Sequence, residues 1–204
     1  MELREVLAKR RMVRNYSDEA VSSDVLDRIV DAGLRVPSAG FSQGQRLVVV
    51  TDTAQRIAVA ESCGEHEYVE RGFDPWISRA PAHIVLCVDR DAYLQRYSEP
   101  DKAAARGRAS TEEDWTVPYW WVDVGASLMA ILLAAVDEGL GAGFLGAHAV
   151  DDLHTTLDIP SEILIAGIVT VGYPLPDRRS GSIERGWLDR DAVVFYDSWG
   201  CSRA

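Results

Sequence analysis

The chain has 204 residues, 47% of them hydrophobic, enough apolar matter for a real core in one large domain or two small ones. Its formal charge of −11 argues against nucleic acid or an anionic membrane as partner, and makes any basic cluster in it conspicuous. Cys63, Cys87 and Cys201 are odd in number and far apart, without CxxC or metal-ligand spacing. They read as reduced thiols of a cytoplasmic protein that holds no metal.

The N-terminal stretch MELREVLAKRR alternates charge from its second residue, which excludes a signal peptide. Leu3, Val6 and Leu7 predict a short amphipathic helix ending in Lys9, Arg10 and Arg11, with Arg14 just past Met12 and Val13. Two readings stand for these cations. They complement the helix dipole, worth about 0.3–1 kcal/mol at a surface, or they form an anion site in which guanidinium forks hold phosphate oxygens. Ser22 or Ser23 is placed to cap a second helix, apolar at Val25, Leu26, Ile29, Val30 and Leu34, which Pro37 stops. The next stretch, PSAGFSQGQ (Pro37 to Gln45), is small, polar and glycine-bearing, so its amides and hydroxyls can approach a ligand closely. Most such stretches are plain loops.

Leu47 to Asp52 (LVVVTD) predicts a buried strand, Ala54 to Ser62 a helix, and Glu65 to Arg79 a mixed segment holding Trp76. His83 to Asp89 (HIVLCVD) predicts a second buried strand. Ala92 to Tyr97 reads as a short helix. Residues 98–116 are polar and charged with no core pattern, the profile of a lid or surface insertion.

Three aromatics, Tyr119, Trp120 and Trp121, then open a strongly apolar helical run, Val122 to Val136, interrupted by Asp123 and stopped by Gly139 and Gly141. A helix apolar on nearly every face must be covered all round. Shorter than the about 20 residues a membrane span needs, and carrying Asp123, it reads as a core element. Its own chain would struggle to cover it, so partial burial by a second copy is predicted. The aromatics either line a substrate pocket or pack the helix entrance.

Gly141 to Ala147 reads as a short strand or turn, Asp151–Asp152 as the start of a helix, and Ile163 to Pro174 as the strongest strand. The tail from Leu175, with Arg178, Arg179, Arg185 and Arg190, is too polar for a core. Yet Trp187, Val193, Val194, Phe195, Tyr196 and Trp199 recur along it, so 175–204 needs a surface to lie on, such as a partner subunit. The sum is an α+β fold in a single domain, 1–204, with three or four strands, helices on both sides and one helix at the centre.

Four stretches together resemble the nitroreductase family of FMN-dependent oxidoreductases. They are RRMVRNYSDEAV (Arg10 to Val21), PSAGFSQGQRLVVV (Pro37 to Val50), VDVGASLMAILLAAVDEGLGAGFLG (Val122 to Gly146) and DIPSEILIAGIVTVGYP (Asp158 to Pro174). The resemblance implies a central, mostly antiparallel sheet flanked by helices, in a homodimer interlocked through its central helices. Two FMN sites would lie at the interface, each built from both subunits. Arg10, Arg11 and Arg14 match the motif that holds the FMN phosphate and the polar edge of the flavin, with Met12 where Ser is usual. Pro37, Ser38 and Ala39 match the segment that the partner lays against the flavin. Phe41 stands where Asn is common, and Gly44–Gln45 replace a common Pro–Trp pair. Phe144, Leu145, Gly146 and Ala147 match the strip passing the flavin near N5, and Arg185, with Arg179 second, is the candidate phosphate arginine of the tail.

The implied activity is that of an NAD(P)H oxidoreductase passing hydride through flavin N5, in two half-reactions, to a nitroaromatic, quinone or related acceptor. Tyr119, Trp120 and Trp121 are the candidate substrate-side residues. Two alternatives remain open: a specialised relative (a flavin-fragmenting synthase, a dehalogenase or a biosynthetic dehydrogenase), and a non-catalytic FMN-binding protein. No nucleophile, catalytic triad or separate dinucleotide fingerprint is expected, because the cofactor carries the hard step.

Overall fold

A computed structural model describes residues 1–102, 111–146, 152–178 and 181–203. Its helices are α1 (Leu3–Lys9), α2 (Ser23–Leu34), α3 (Thr53–Ser62), α4 (Glu65–Glu70), α5 (Arg90–Ser98), α6 (Tyr119–Asp137) and α7 (Leu153–Thr156). The strands are β1 (Gln45–Val50), β2 (Ala82–Val88), β3 (Gly141–Gly146) and β4 (Leu164–Gly172). They form one antiparallel sheet in the order β1-β2-β4-β3. The architecture is therefore α+β, as the sequence predicts.

The two central strands, β2 and β4, are the near-continuous apolar runs AHIVLCV and LIAGIVTVG, because both of their faces are covered. Val85 and Cys87 enter one core with Val59, Ala60, Trp76, Ile77 and Leu153; Ile84, Leu86 and Val88 enter the other with Leu26, Ile29, Trp120, Ile131 and Leu132. The alternation slips once. Leu86 pairs with Gly167 but Cys87 with Ile165, so one extra residue in β4 reverses its facing.

Several boundaries differ from the predicted ones. LVVVTD is not fully buried: β1 begins at Gln45 and is an edge strand, its Val49 exposed. Of the two alternatives for Gly141 onward, strand or turn, it is a strand, Gly141–Gly146; Ser22 holds the N-cap position of α2 without a side-chain bond, whereas Asp52 accepts from the Gln55 N–H at 2.9 Å and caps α3. Helix α7 starts only at Leu153, and Asp151 lies outside the described residues. So do residues 103–110 of the predicted lid; Trp115, at its end, packs against Trp120.

Helix α6 covers one face of the sheet with Trp120, Asp123, Val124, Ser127, Ile131, Leu132 and Ala135. It meets the length and composition of a membrane span, but this face is packed as a core helix is packed. The opposite face is open. Val122, Ala126, Met129, Leu133 and Val136 succeed one another at steps of four and three along it, the spacing of a helix–helix seam, with Val122 54% and Met129 46% exposed.

Candidate functional site

The basic segment owes its placement to two buried residues. Val13 and Tyr16 are 2% and 3% exposed, and the Tyr16 hydroxyl donates to the Val13 carbonyl at 2.7 Å and pairs with Thr170 Oγ1 at 2.8 Å. Burial pushes the Tyr16 pKa far above its ordinary value, so it stays a neutral donor. The Val13 N–H donates to the Ala142 carbonyl at 2.9 Å, which fixes the segment along β3. Gly143 permits that approach, since a Cβ there would lie 2.4 Å from the Val13 carbonyl oxygen.

From this pinned backbone Arg10, Arg11 and Arg14 emerge without a salt bridge to any described residue. Arg28, Arg46, Arg90 and Arg96 all have carboxylate partners. In an acidic chain, three guanidiniums left unpaired favour the anion-site reading over the dipole reading. Arg14 lies over the Trp76 ring at 5.7 Å, and its backbone N–H donates to Asp177 Oδ2 at 2.7 Å. Trp76 is held in turn by Glu65, whose Oε1 accepts from the N–H groups of Trp76, Ile77 and Ser78. Met12 sits opposite Ala142 and is 37% exposed.

The predicted loop is a strained turn. Gly40, Phe41 and Gln43 have φ of 62°, 59° and 51°. For Phe and Gln this conformation costs on the order of 1–3 kcal/mol each, and such strain gathers at functional sites. The turn is tied down by Asp123 Oδ2, which accepts from the Ala39 N–H at 2.8 Å, and by Arg96 Nε, which donates to the Gly40 carbonyl at 2.9 Å. Gln43 N–H donates to Ser38 Oγ at 3.0 Å. Pro37 is exposed, Ser38 and Ala39 are half-buried, and Phe41 is 73% exposed. A Cβ on Gly44 would lie 2.6 Å from the Asp89 carbonyl oxygen, which leaves no room there for a larger residue.

Of the three candidate substrate-side aromatics, Trp120 is a correction. It is 1% exposed, packed against Tyr93 and Trp115, and so forms no pocket wall. Tyr119 and Trp121, 45% and 42% exposed, do reach the surface. Beside the turn the aromatic wall runs instead through Tyr97, Trp115 and Tyr119, with ring centroids 4.6 and 6.1 Å apart. In β3, Leu145 points into the core, while Phe144 and Gly146 are half-buried. Arg185 lies exposed in a short 3-10 turn, Gly181–Arg185, and Ala147 and Arg179 lie outside the described residues.

One chain does not bring these groups together. The turn is bonded to Asp123, near the start of α6, whereas the basic segment meets Ala142, just past its end. Asp123 to Asp137 spans about 20 Å of helix. A cavity of about 490 Å³ beside Asn15, Ser17, Arg56, Ser78, Arg79 and Leu175 contains none of the predicted site residues. Among the described residues no group of His, Cys, Asp and Glu is placed to hold a metal ion. Burial pushes the Cys63 and Cys87 thiols up to about 12 and about 11, so neither is a nucleophile.

The family model described as the nitroreductase family matches residues 7–173. A protein of Archaeoglobus fulgidus, provisionally named NADH dehydrogenase/NAD(P)H nitroreductase, is 29% identical over 175 residues, 83% of each chain. The FMN reductase [NAD(P)H] of Bacillus subtilis is 26% identical over 95% of this chain and 72% of its own. The 5,6-dimethylbenzimidazole synthase of Rhodospirillum rubrum is 26% identical over 89% of this chain and 86% of its own. Among solved structures, B. megaterium NfrA2 superposes with a TM-score of 0.75 at 24% identity, over 98% of this chain and 75% of its own, a likeness of fold.

Proposed function

The chain belongs to the nitroreductase family, and from that premise we propose that it is an FMN-dependent NAD(P)H oxidoreductase working as a homodimer. The observation that carries the reading is the division of the site. Three unpaired guanidiniums stand at one end of α6 and a strained, glycine-bearing turn at the other, with an open apolar seam between them. A second copy packed antiparallel along that seam would bring the basic segment of one protomer to the turn of its partner. The exposed Trp187 and Trp199 of the tail, 97% and 90% exposed, would find cover on the same partner.

The residues present fit the cofactor. Arg10, Arg11 and Arg14 supply fork donors for a phosphate dianion and a cation for the polar edge of the flavin, and Arg185 or Arg179 adds to them from the tail. Phe144, Leu145, Gly146 and Ala147 supply the backbone strip for the ring. Pro37, Ser38, Ala39 and Phe41 come from the partner, and Tyr119 and Trp121 face the substrate side. FMN held by these residues would supply hydride-transfer chemistry between a reduced nicotinamide and a nitroaromatic, quinone or related acceptor. The protein's own contribution is orientation and exclusion of water, with no side chain required as an acid or base.

A second reading has a specific support. The R. rubrum relative is named a synthase, and Phe41 gives this turn an exposed ring in place of an amide. A specialised flavoenzyme of that kind would bind FMN without steady nicotinamide turnover. The test is direct: purify the protein, record its flavin spectrum and mass in solution, and follow NADH and NADPH oxidation with a nitroaromatic or quinone. A yellow dimer with turnover supports the first reading, and a yellow dimer without turnover the second. A colourless monomer that ignores added FMN overturns both.

A further inference from the structure

Asp123 is a carboxylate in the middle of an apolar helix face, 7% exposed and without a salt bridge to any described residue. Burying a charge without a cation is costly, so hydrogen bonds must hold it there. Both come to one oxygen: Oδ2 accepts from the Ala39 N–H at 2.8 Å and from the Tyr93 hydroxyl at 2.9 Å. Tyr93 is itself fully buried between Trp115 and Trp120 and supplies the second donor to that oxygen.

What Asp123 grips is the turn that cannot hold its own shape. Ala39 enters the left-handed run at Gly40, Phe41 and Gln43. The bonds Gln43 N–H to Ser38 Oγ and Ser42 Oγ–H to the Ala39 carbonyl are local and move with the turn. Its outside ties are Asp123 on Ala39, Arg96 on the Gly40 carbonyl, Arg46 Nη1 on the Gln43 carbonyl, and the Asp89 N–H on the Gly44 carbonyl. Of these, only the Asp123 bond runs to α6, the helix with the open seam. A charge-assisted bond from α6 therefore couples the geometry of the seam helix to the geometry of Pro37 to Phe41.

We propose that Asp123 is a positioning residue for the cofactor site: through the Ala39 N–H it holds the Pro37–Phe41 turn in its binding-competent, left-handed form. This rests on the FMN reading above. Nothing in it requires Asp123 to touch the cofactor.

The experiment uses the full chain and compares Asp123→Ala, Asp123→Asn, Tyr93→Phe and Ala39→Pro. The readouts are the FMN dissociation constant from flavin fluorescence and amide hydrogen exchange across 37–43 in FMN-free protein. Asp123→Ala is expected to weaken FMN about tenfold or more and to speed exchange across the turn. Asp123→Asn keeps an oxygen that can accept from both donors and is expected to stay within about threefold of the parent. Tyr93→Phe keeps the Ala39 bond and should leave FMN affinity and turn exchange near the parent even where it lowers the melting temperature.

Ala39→Pro deletes the same bond from the turn side and leaves Asp123 and its Tyr93 donor unchanged. Ser38, at φ −131° and ψ 147°, already has the extended conformation a following proline demands. It should weaken FMN as Asp123→Ala does, and it keeps the test alive if Asp123→Ala does not fold. The proposal is overturned if Asp123→Ala or Ala39→Pro leaves affinity unchanged, or if Tyr93→Phe weakens FMN as much as they do. If the parent protein binds no FMN the functional reading fails, and unchanged exchange across 37–43 would then separately overturn the clamp.

Discussion

Replacing Glu65 tests whether the shelf beneath Arg14 is built as described. The carboxylate Oε1 accepts from the Trp76 N–H at 2.7 Å and the Ile77 N–H at 2.5 Å, and the Ser78 N–H lies 3.2 Å away. Trp76 and Ile77 are 3% and 0% exposed, so their N–H groups find no water when the acceptor goes. Ser78 is half-buried and can turn to solvent. Two stranded buried donors at about 1–3 kcal/mol each put the cost of Glu65→Ala at about 2–6 kcal/mol, a large part of a domain's about 5–15. Glu65→Gln keeps an acceptor and gives up only the charge assistance, which puts it at about 1 kcal/mol. Urea unfolding followed by circular dichroism, fitted with a common slope, measures both. Because Trp76 carries the Arg14 guanidinium, FMN affinity should fall in the same order, Ala well below Gln. A loss under about 0.5 kcal/mol in Glu65→Ala would refute the account of three backbone donors converging on one carboxylate.

Three further outcomes are expected. Burial holds His83 neutral and lowers its pKa to about 4, against the raising influence of the Ile77 carbonyl it bonds. The unfolded chain takes up the proton first, near 6.5, so this contribution is complete above about pH 6.5 and drains as pH falls toward about 4. The loss is about 3 kcal/mol, and it should be absent from urea-derived stability profiles of His83→Gln. Arg14→Ala should raise the FMN dissociation constant about tenfold or more and flatten its dependence on salt, measured by fluorescence titration at two ionic strengths. Val122→Asp, on the open seam of α6, should yield single chains of 22.5 kDa in sedimentation velocity and abolish FMN binding; a monomer that still holds FMN would refute the shared site.

The central strands and the long helix were legible because burial on two faces leaves unbroken apolar runs in the sequence. The basic segment was legible because its cations stand out in an acidic chain. Other features write no such signal. Asp123 reads along the chain as an interruption, and its role depends on Ala39 and Tyr93 being carried to it by the fold. The left-handed turn at Phe41 and Gln43 is invisible for a related reason: neither residue prefers that conformation, so tertiary bonds impose it. Glu65 meets backbone groups, which carry no residue signature. Trp120 could have been foreseen, since adjacent helix residues point about 100° apart and three aromatics in a row cannot share one wall.

A site shared between protomers, as proposed, has a genetic corollary. A chain crippled at Arg14 and a chain crippled at Ala39 would each, alone, leave every seat weakly filled at low FMN. Co-expressed, they would form mixed pairs in which one seat inherits both lesions and the other inherits neither. With random assortment about a quarter of the parental seats should revive, a rescue that self-contained subunits could never give.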